Sequence, residues 1–364
     1  MAAASGHQAR AAEWIRRAAD EAMRRLAYEE AARLYRLALV VGATDLDDDR
    51  RCRLLLGAAA ALQAAGELSD RLPTCRQAAA LARRLRRPDL LAEAALAMEG
   101  GESDLEAEMS VRASCEEALA ALPAQAGALR ARVSANLSNA CMYLGDVEAA
   151  GRASAHALAT ADRCDDRRAV AAALRARQLV MSGPEGLEER AALADRMSAV
   201  GRESQDPALQ MWGHLWRIDV AFERGDLAAV GRELEPLAWS VTEQRTPVAR
   251  WHLLQTRAVL AQAQGRFDDA RRLADRAVAA LPRSAAGRES ALINRTALLS
   301  LVGLHTGDAP NLTGLLGYGP GDDDGDGLDF PSRESSFLSR RPSSSPTAVC
   351  SRTRRLCTAD SGPR

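Results

Sequence analysis

Lysine is absent from all 364 residues. That removes every mechanism needing an ε-amine: the phosphate lysine of a P-loop, a Schiff-base lysine and the strand lysine of a kinase. Aromatic residues are scarce at 4%, and the 47% hydrophobic content is carried mainly by Ala and Leu, which favour helix over strand. No sign of charge prevails. Forty-eight basic residues stand against 49 acidic ones, a formal net charge of -1, so no excess positive potential exists to hold DNA or RNA. The seven cysteines stand singly at 52, 75, 115, 141, 164, 350 and 357, and the five histidines form no H-x-x-x-H. Zinc spacing is therefore missing, and scattered, odd-numbered thiols suit a reducing cytoplasm. G-x4-G-K-[ST], G-x-S-x-G and H-E-x-x-H are also lacking. The expectation is a chain with no catalytic site, cofactor or metal. The opening MAAASGHQARAAEW has no cationic start before a Leu-rich run, and the most apolar stretch, LLLGAAAALQAAG, is short; neither an export signal nor a membrane span is expected.

What is present is a beat. Turn glycines recur as AGEL at Gly66, LGDV at Gly145, RGDL at Gly225, QGRF at Gly265 and TGDA at Gly307, with weaker beats near Gly100 and Gly183. Their spacing is close to multiples of about 40 residues. A glycine after a helical run supplies a left-handed C-terminal residue, and the acid that often follows can cap the next helix. Out of phase with these, Pro88, Asp206-Pro207 and Thr246-Pro247 are helix-start signals. Pro123 and Pro282 mark where second helices stop. Between them the apolar spacing is helical: Leu129, Val133, Leu137, Ala140 and Leu144 share a face, as do Trp251, Leu254, Ala258 and Ala261, followed by Phe267, Ala270, Ala274 and Ala277. Each hairpin leaves an apolar face that only its neighbour can cover. The pattern predicts an all-α chain, a right-handed α-solenoid of about seven helix hairpins between residues 12 and 286, with one more helix over 288–306.

AYEEAARLYRLAL, with Ala31, Tyr35 and Ala38, resembles the second helix of a tetratricopeptide repeat (TPR), A-x3-[FY]-x2-A. GRFDDARRLADRAVAALP repeats it with Ala270, Ala274 and Ala277, and LGDVEAAGRASAHAL with Ala150, Ser154 and Ala157; Trp251-x2-Leu254 fits the family's first helix. The chain departs from the family in its longer period, in Gln255 where glycine is usual, and in lacking the aromatic in later units. Ala-, Arg- and Leu-rich forty-residue units of this kind look like the helical region of the large ATP-binding regulators of LuxR type. There a nucleotide-switching domain precedes TPR-like repeats and a helix-turn-helix domain follows. The resemblance covers roughly 10–318 and neither flanking domain is visible. It implies a sensor or interaction region that takes a protein partner or small effector in its groove and responds by altered curvature or self-association. A free-standing TPR-like scaffold or adapter is the alternative.

The domains expected are a disordered 1–9, a solenoid over 10–318 and a disordered low-complexity tail over 319–364. In the tail Asp322, Asp324, Asp326 and Gly327 copy the start of a calcium loop, but Arg333 stands where the bidentate Glu belongs and Pro331 lies inside. It reads as an acidic linker. The runs SRRPSSSP and SRTRRLC suggest an out-of-frame ending. Four of the five tryptophans fall within forty residues, and Trp212, Trp216 and Trp251 are the candidates for a partner groove. Trp212 and Trp216, four apart, share a helical face; such aromatics equally suit packing between repeats. The Arg run at 83–89 reads as a solvated face paired with nearby acids rather than a phosphate site.

Overall fold

The computed structural model describes residues 2–98, 105–282 and 287–307, without the side chains of residues 2–6, 68 and 69. Among the described residues all regular structure is helical. Unit 1 holds α1 (Ala2–Arg24), α2 (Tyr28–Val41), α3 (Asp48–Ala65), α4 (Leu68–Leu85), α5 (Pro88–Ala97), α6 (Leu105–Ala121), α7 (Gly127–Tyr143), α8 (Val147–Ala161) and α9 (Arg167–Val180). Unit 2 holds α10 (Leu187–Glu203), α11 (Pro207–Glu223), α12 (Leu227–Gln244), α13 (Pro247–Ala263), α14 (Phe267–Ala279) and α15 (Arg288–Thr306). The odd helices from α5 onward begin at 88, 127, 167, 207, 247 and 288, and the even ones from α8 onward at 147, 187, 227 and 267. The forty-residue step is thus a step in helix starts.

Local chemistry sets each boundary. Gly225 is left-handed (φ 72°), a conformation costly for a residue with a Cβ; the Asp226 N–H then reaches back to the Ala221 carbonyl and the Gly225 N–H to Phe222, closing α11. Asp226 turns its carboxylate to the Ala229 N–H at 2.8 Å and opens α12. The same pair of backbone bonds recurs at Gly66, Gly145 and Gly265. Asp47, Asp166, Asp206 and Thr246 cap the odd helices α3, α9, α11 and α13, and Pro88, Pro207 and Pro247 take the first helical position of theirs. On the other side of the hairpins, Arg86, Gln205 and Arg245 are left-handed without being glycine (φ 52–54°), a turn that composition does not announce.

Two boundaries differ from expectation. Residues 2–9 belong to α1, because alanine, the strongest helix former, carries the helix back through Ala2–Ala4. The helices also group into two compact units dividing after Val180 where one array was expected. At that point the left-handed Gly-Asp turn is replaced by an extended Gly183 (φ -75°, ψ 164°) and a single 3-10 turn, Pro184–Gly186. The acidic calcium-like segment, the weak beat at Gly100 and the tail at 319–364 lie outside the described residues.

Within each unit a helix packs on the next one or two in sequence. In unit 1, Ala31, Tyr35 and Ala38 of α2 face Leu54, Ala58, Ala61 and Leu62 of α3; the Tyr35 ring lies over Gly57, where a Cβ would come within 2.6 Å of it. Between α7, α8 and α9 the core is alanine throughout: Ala131, Ala135, Ala157, Ala161, Ala169, Ala173 and Ala176, so the backbones can approach closely. In unit 2 a close crossing lies at Gly213, whose Cβ would fall 2.2 Å from Ser198 Oγ and 2.9 Å from the Ser198 nitrogen.

Where α6 and α14 end before Pro123 and Pro282, an arginine from the following helix binds carbonyls of the last turn. Arg130 Nη1 donates to Leu119 O (2.9 Å) and Leu122 O (2.8 Å), and Arg288 Nη1 to Val278 O (3.1 Å) and Leu281 O (2.9 Å). Cations belong at helix C-termini. Arg130→Ala is expected to cost about 1.5–3 kcal/mol, read as a lower urea midpoint at unchanged m-value; an unaltered midpoint would mean the clamp contributes nothing.

Candidate functional site

The aromatic segment singled out by the sequence lies on α11, α12 and α13. Trp216 and Trp251 are interior, with 5% and 6% of their surface exposed. Trp251 sits among Leu254, Ala277, Val278, Leu281 and Ala291. Trp212 is half-buried and meets His252 in an edge-on arrangement at 5.1 Å between ring centres, and the Trp251 ring centre lies 4.5 Å from the same imidazole. The structure therefore joins Trp212 and Trp251 through His252, forty residues after Trp212. Trp239 stands apart, 55% exposed.

Sequence spacing gave no hint of His252 as the centre of this cluster, since a lone histidine carries no motif. Other polar residues of its helix are covered too: Gln255, Thr256 and Gln262 are buried beside the apolar residues of α13. Thr256 satisfies its hydroxyl by donating to the His252 carbonyl at 2.9 Å. Trp251 Nε1 and Gln262 Oε1 are buried with no protein hydrogen-bond partner, an arrangement that native interiors seldom keep. The half-buried Trp212 is the one member of the cluster that reaches the surface.

Burial pushes the His252 imidazole from its ordinary 6.5 down to about 4, because a charged ring in this interior has lost its water. In the unfolded chain the ring takes its proton near 6.5, so folded stability is intact above that pH and falls as pH drops from 6.5 toward 4. The expected loss is roughly 3 kcal/mol. His252→Gln should flatten the dependence of unfolding free energy on pH in this window; a slope identical to that of the parent would exclude His252 as its source.

Beside the cluster a polar network ties α10, α11 and α12. His214 Nδ1 and Glu233 Oε2 are 2.7 Å apart, and Arg217 bonds Asp195 at 2.9 Å and lies 4.0 Å from Glu233. The His214 hydrogen bond, with Arg217 nearby, holds the Glu233 carboxyl below its usual range. These partners are 19 and 22 residues apart, a separation with no motif to find.

Three of the four arginines in the Arg run pair with acids. Arg83 pairs with Glu117 at 2.6 Å, Arg84 with Asp48, and Arg87 with Asp49 at 2.6 Å and Asp89 at 2.5 Å. Cys52, Cys75, Cys115 and Cys141 are buried. Burial, with Asp49 and Glu93 adding to it, raises the Cys52 thiol to about 11, and burial raises Cys141; neither is a ready nucleophile at neutral pH. Among the described residues no three His, Cys, Asp or Glu stand together as metal ligands, and no helix is long and apolar enough to cross a membrane. Compared with known proteins, the chain matches no family model and no curated relative.

Proposed function

We propose that this chain is a non-enzymatic helical-repeat region that binds a protein partner or a small effector, and that its units are runs of right-handed α-solenoid built from TPR-like hairpins. The observation that carries this is the forty-residue step in helix starts, kept together with burial of the small residues at the hairpin contacts: Ala31, Ala38, Ala150, Ala157, Ala270 and Ala277 are all fully covered. A repeat of this kind invests its interior in neighbour contacts and offers an extended surface for recognition. The grip would lie at the aromatic end of α11 and α13, where Trp212 reaches the surface over a helix holding unsatisfied polar atoms.

The place of such a region is the middle of a LuxR-type ATP-binding regulator, where ligand binding shifts the repeats between two states and the flanking domains respond. The coding DNA on both sides tests it. A P-loop segment upstream and a helix-turn-helix downstream support the regulator. Repeats flanked by neither overturn it and leave a free-standing adapter.

A further inference from the structure

Helix α13 is covered on nearly every side. From Ala249 to Gln262 only Arg250, Leu253 and Arg257 escape burial, Leu253 in part and the two arginines as exposed residues. Leu253 stands three residues and Arg257 seven residues after Arg250, so the three form one narrow stripe up the helix. Two turns separate the arginines, about 10.5 Å along the axis. Neither guanidinium has a hydrogen-bonding or ionic partner among the described residues. The helix itself cannot supply one, because α13 contains no acidic residue. Elsewhere in unit 2 the fold provides: on α14, Arg271 and Arg272 meet Asp268 and Asp269 of their own helix. On α11, Arg217 stands forty residues before Arg257, and it meets Asp195 at 2.9 Å and lies 4.0 Å from Glu233.

We propose that this stripe receives an acidic peptide segment of a partner protein in polyproline II form, with carboxylates three residues apart on Arg250 and Arg257 and an apolar side chain on Leu253. The inference rests on the binding role proposed above and adds the charge and spacing of the partner. One turn of polyproline II takes three residues and advances about 9.3 Å, returning a side chain to the same face, close to the arginine separation. In a β-strand, residues three apart point to opposite faces. Arginine suits the task because its planar fork can hold a carboxylate through two parallel hydrogen bonds. The packing around α13 fixes the separation of the two Cα atoms before any partner arrives, which lowers the ordering cost of binding.

Fluorescence anisotropy of the full chain with a fluorescein-labelled peptide of Glu-Pro-Pro triplets tests the proposal, with a melting curve of each variant as the control for folding. The parent should bind, and more weakly as salt is raised. Arg250→Glu with Arg257→Glu should weaken binding at least about tenfold and should turn the preference toward an Arg-Pro-Pro peptide. Arg250→Gln with Arg257→Gln, milder for the fold, should weaken binding in the same direction. No binding by the parent overturns the proposal, and so does binding that both double changes leave intact. Equal binding of a peptide with the same composition and contiguous glutamates overturns it as well. Single-stranded DNA bound more tightly than the peptide would do the same, since the stripe would then serve phosphate. The coding DNA on either side still decides the regulator reading in each case, so the two fail separately.

Discussion

Replacing Trp251 with alanine is expected to lower the unfolding free energy by about 3–5 kcal/mol. The indole fills the space between α13, α14 and α15 against Leu254, Ala277, Val278, Leu281 and Ala291. Three of those five neighbours are short or stiff side chains that cannot swing in to fill the void. Trp251→Phe separates volume from chemistry. It keeps an aromatic body while removing Nε1, which is buried without a hydrogen-bond partner and so costs about 1–3 kcal/mol of desolvation where it stands. Phe is therefore expected to lose far less than Ala. Urea titration of both variants decides it: equal losses would show that the N–H has a partner, and a negligible loss for Ala would remove Trp251 from the core. If Trp251 instead contacts a partner directly, Ala would leave the midpoint alone and weaken binding.

Arg190→Ala should be as damaging, again about 3–5 kcal/mol. Arg190 is 2% exposed and its Nη1 meets Glu223 Oε1 at 2.5 Å, with Glu223 itself largely covered. Removing the cation leaves a buried carboxylate without its guanidinium. The two together can be dispensed with more easily than one alone, because a buried ion pair spends most of its attraction offsetting desolvation. Arg190→Met with Glu223→Leu is expected to recover most of the loss, and a double-mutant cycle measures the coupling. Strictly additive losses would mean that the pair does not interact. The position makes the point sharper. Arg190 is the fourth residue of its helix, and the fourth residues of α2, α8, α12 and α14 are Ala31, Ala150, Val230 and Ala270, all fully buried. The repeat itself asks for an apolar residue there, and Arg71 of α4 is the other arginine at this site, donating to the Ala97 carbonyl at 2.7 Å.

The parts of the fold legible in the sequence were those written in local chemistry. Gly225-Asp226, Asp206-Pro207 and Thr246-Pro247 each specify a helix boundary through a backbone angle or a cap within a few residues, and the structure places α11, α12 and α13 between them. The alanines of α8 and α14 showed through their spacing. What stayed hidden depends on contacts across the fold. Arg86, Gln205 and Arg245 adopt left-handed turns that glycine would have announced. The division after Val180 falls beside an atypical turn that carries no glycine in the left-handed region. His252 became central only once the fold brought Trp212, forty residues away, against the ring that neighbours Trp251. Trp216 and Trp251, candidates for a groove by their spacing, are covered, since a tryptophan at helical period serves neighbour packing as readily as recognition.

Excising one forty-residue step tests the hairpin repeat most directly. Deleting residues 227–266 joins Asp226 to Phe267, so the acid that caps α12 stands before α14, whose own preceding residue, Arg266, makes no side-chain cap. If helices in unit 2 stack as interchangeable neighbours, circular dichroism of the shortened full chain will show the same helicity per residue and a single cooperative melt. A non-cooperative melt with diminished helicity would show a fold organised around one indivisible centre and would contradict the account.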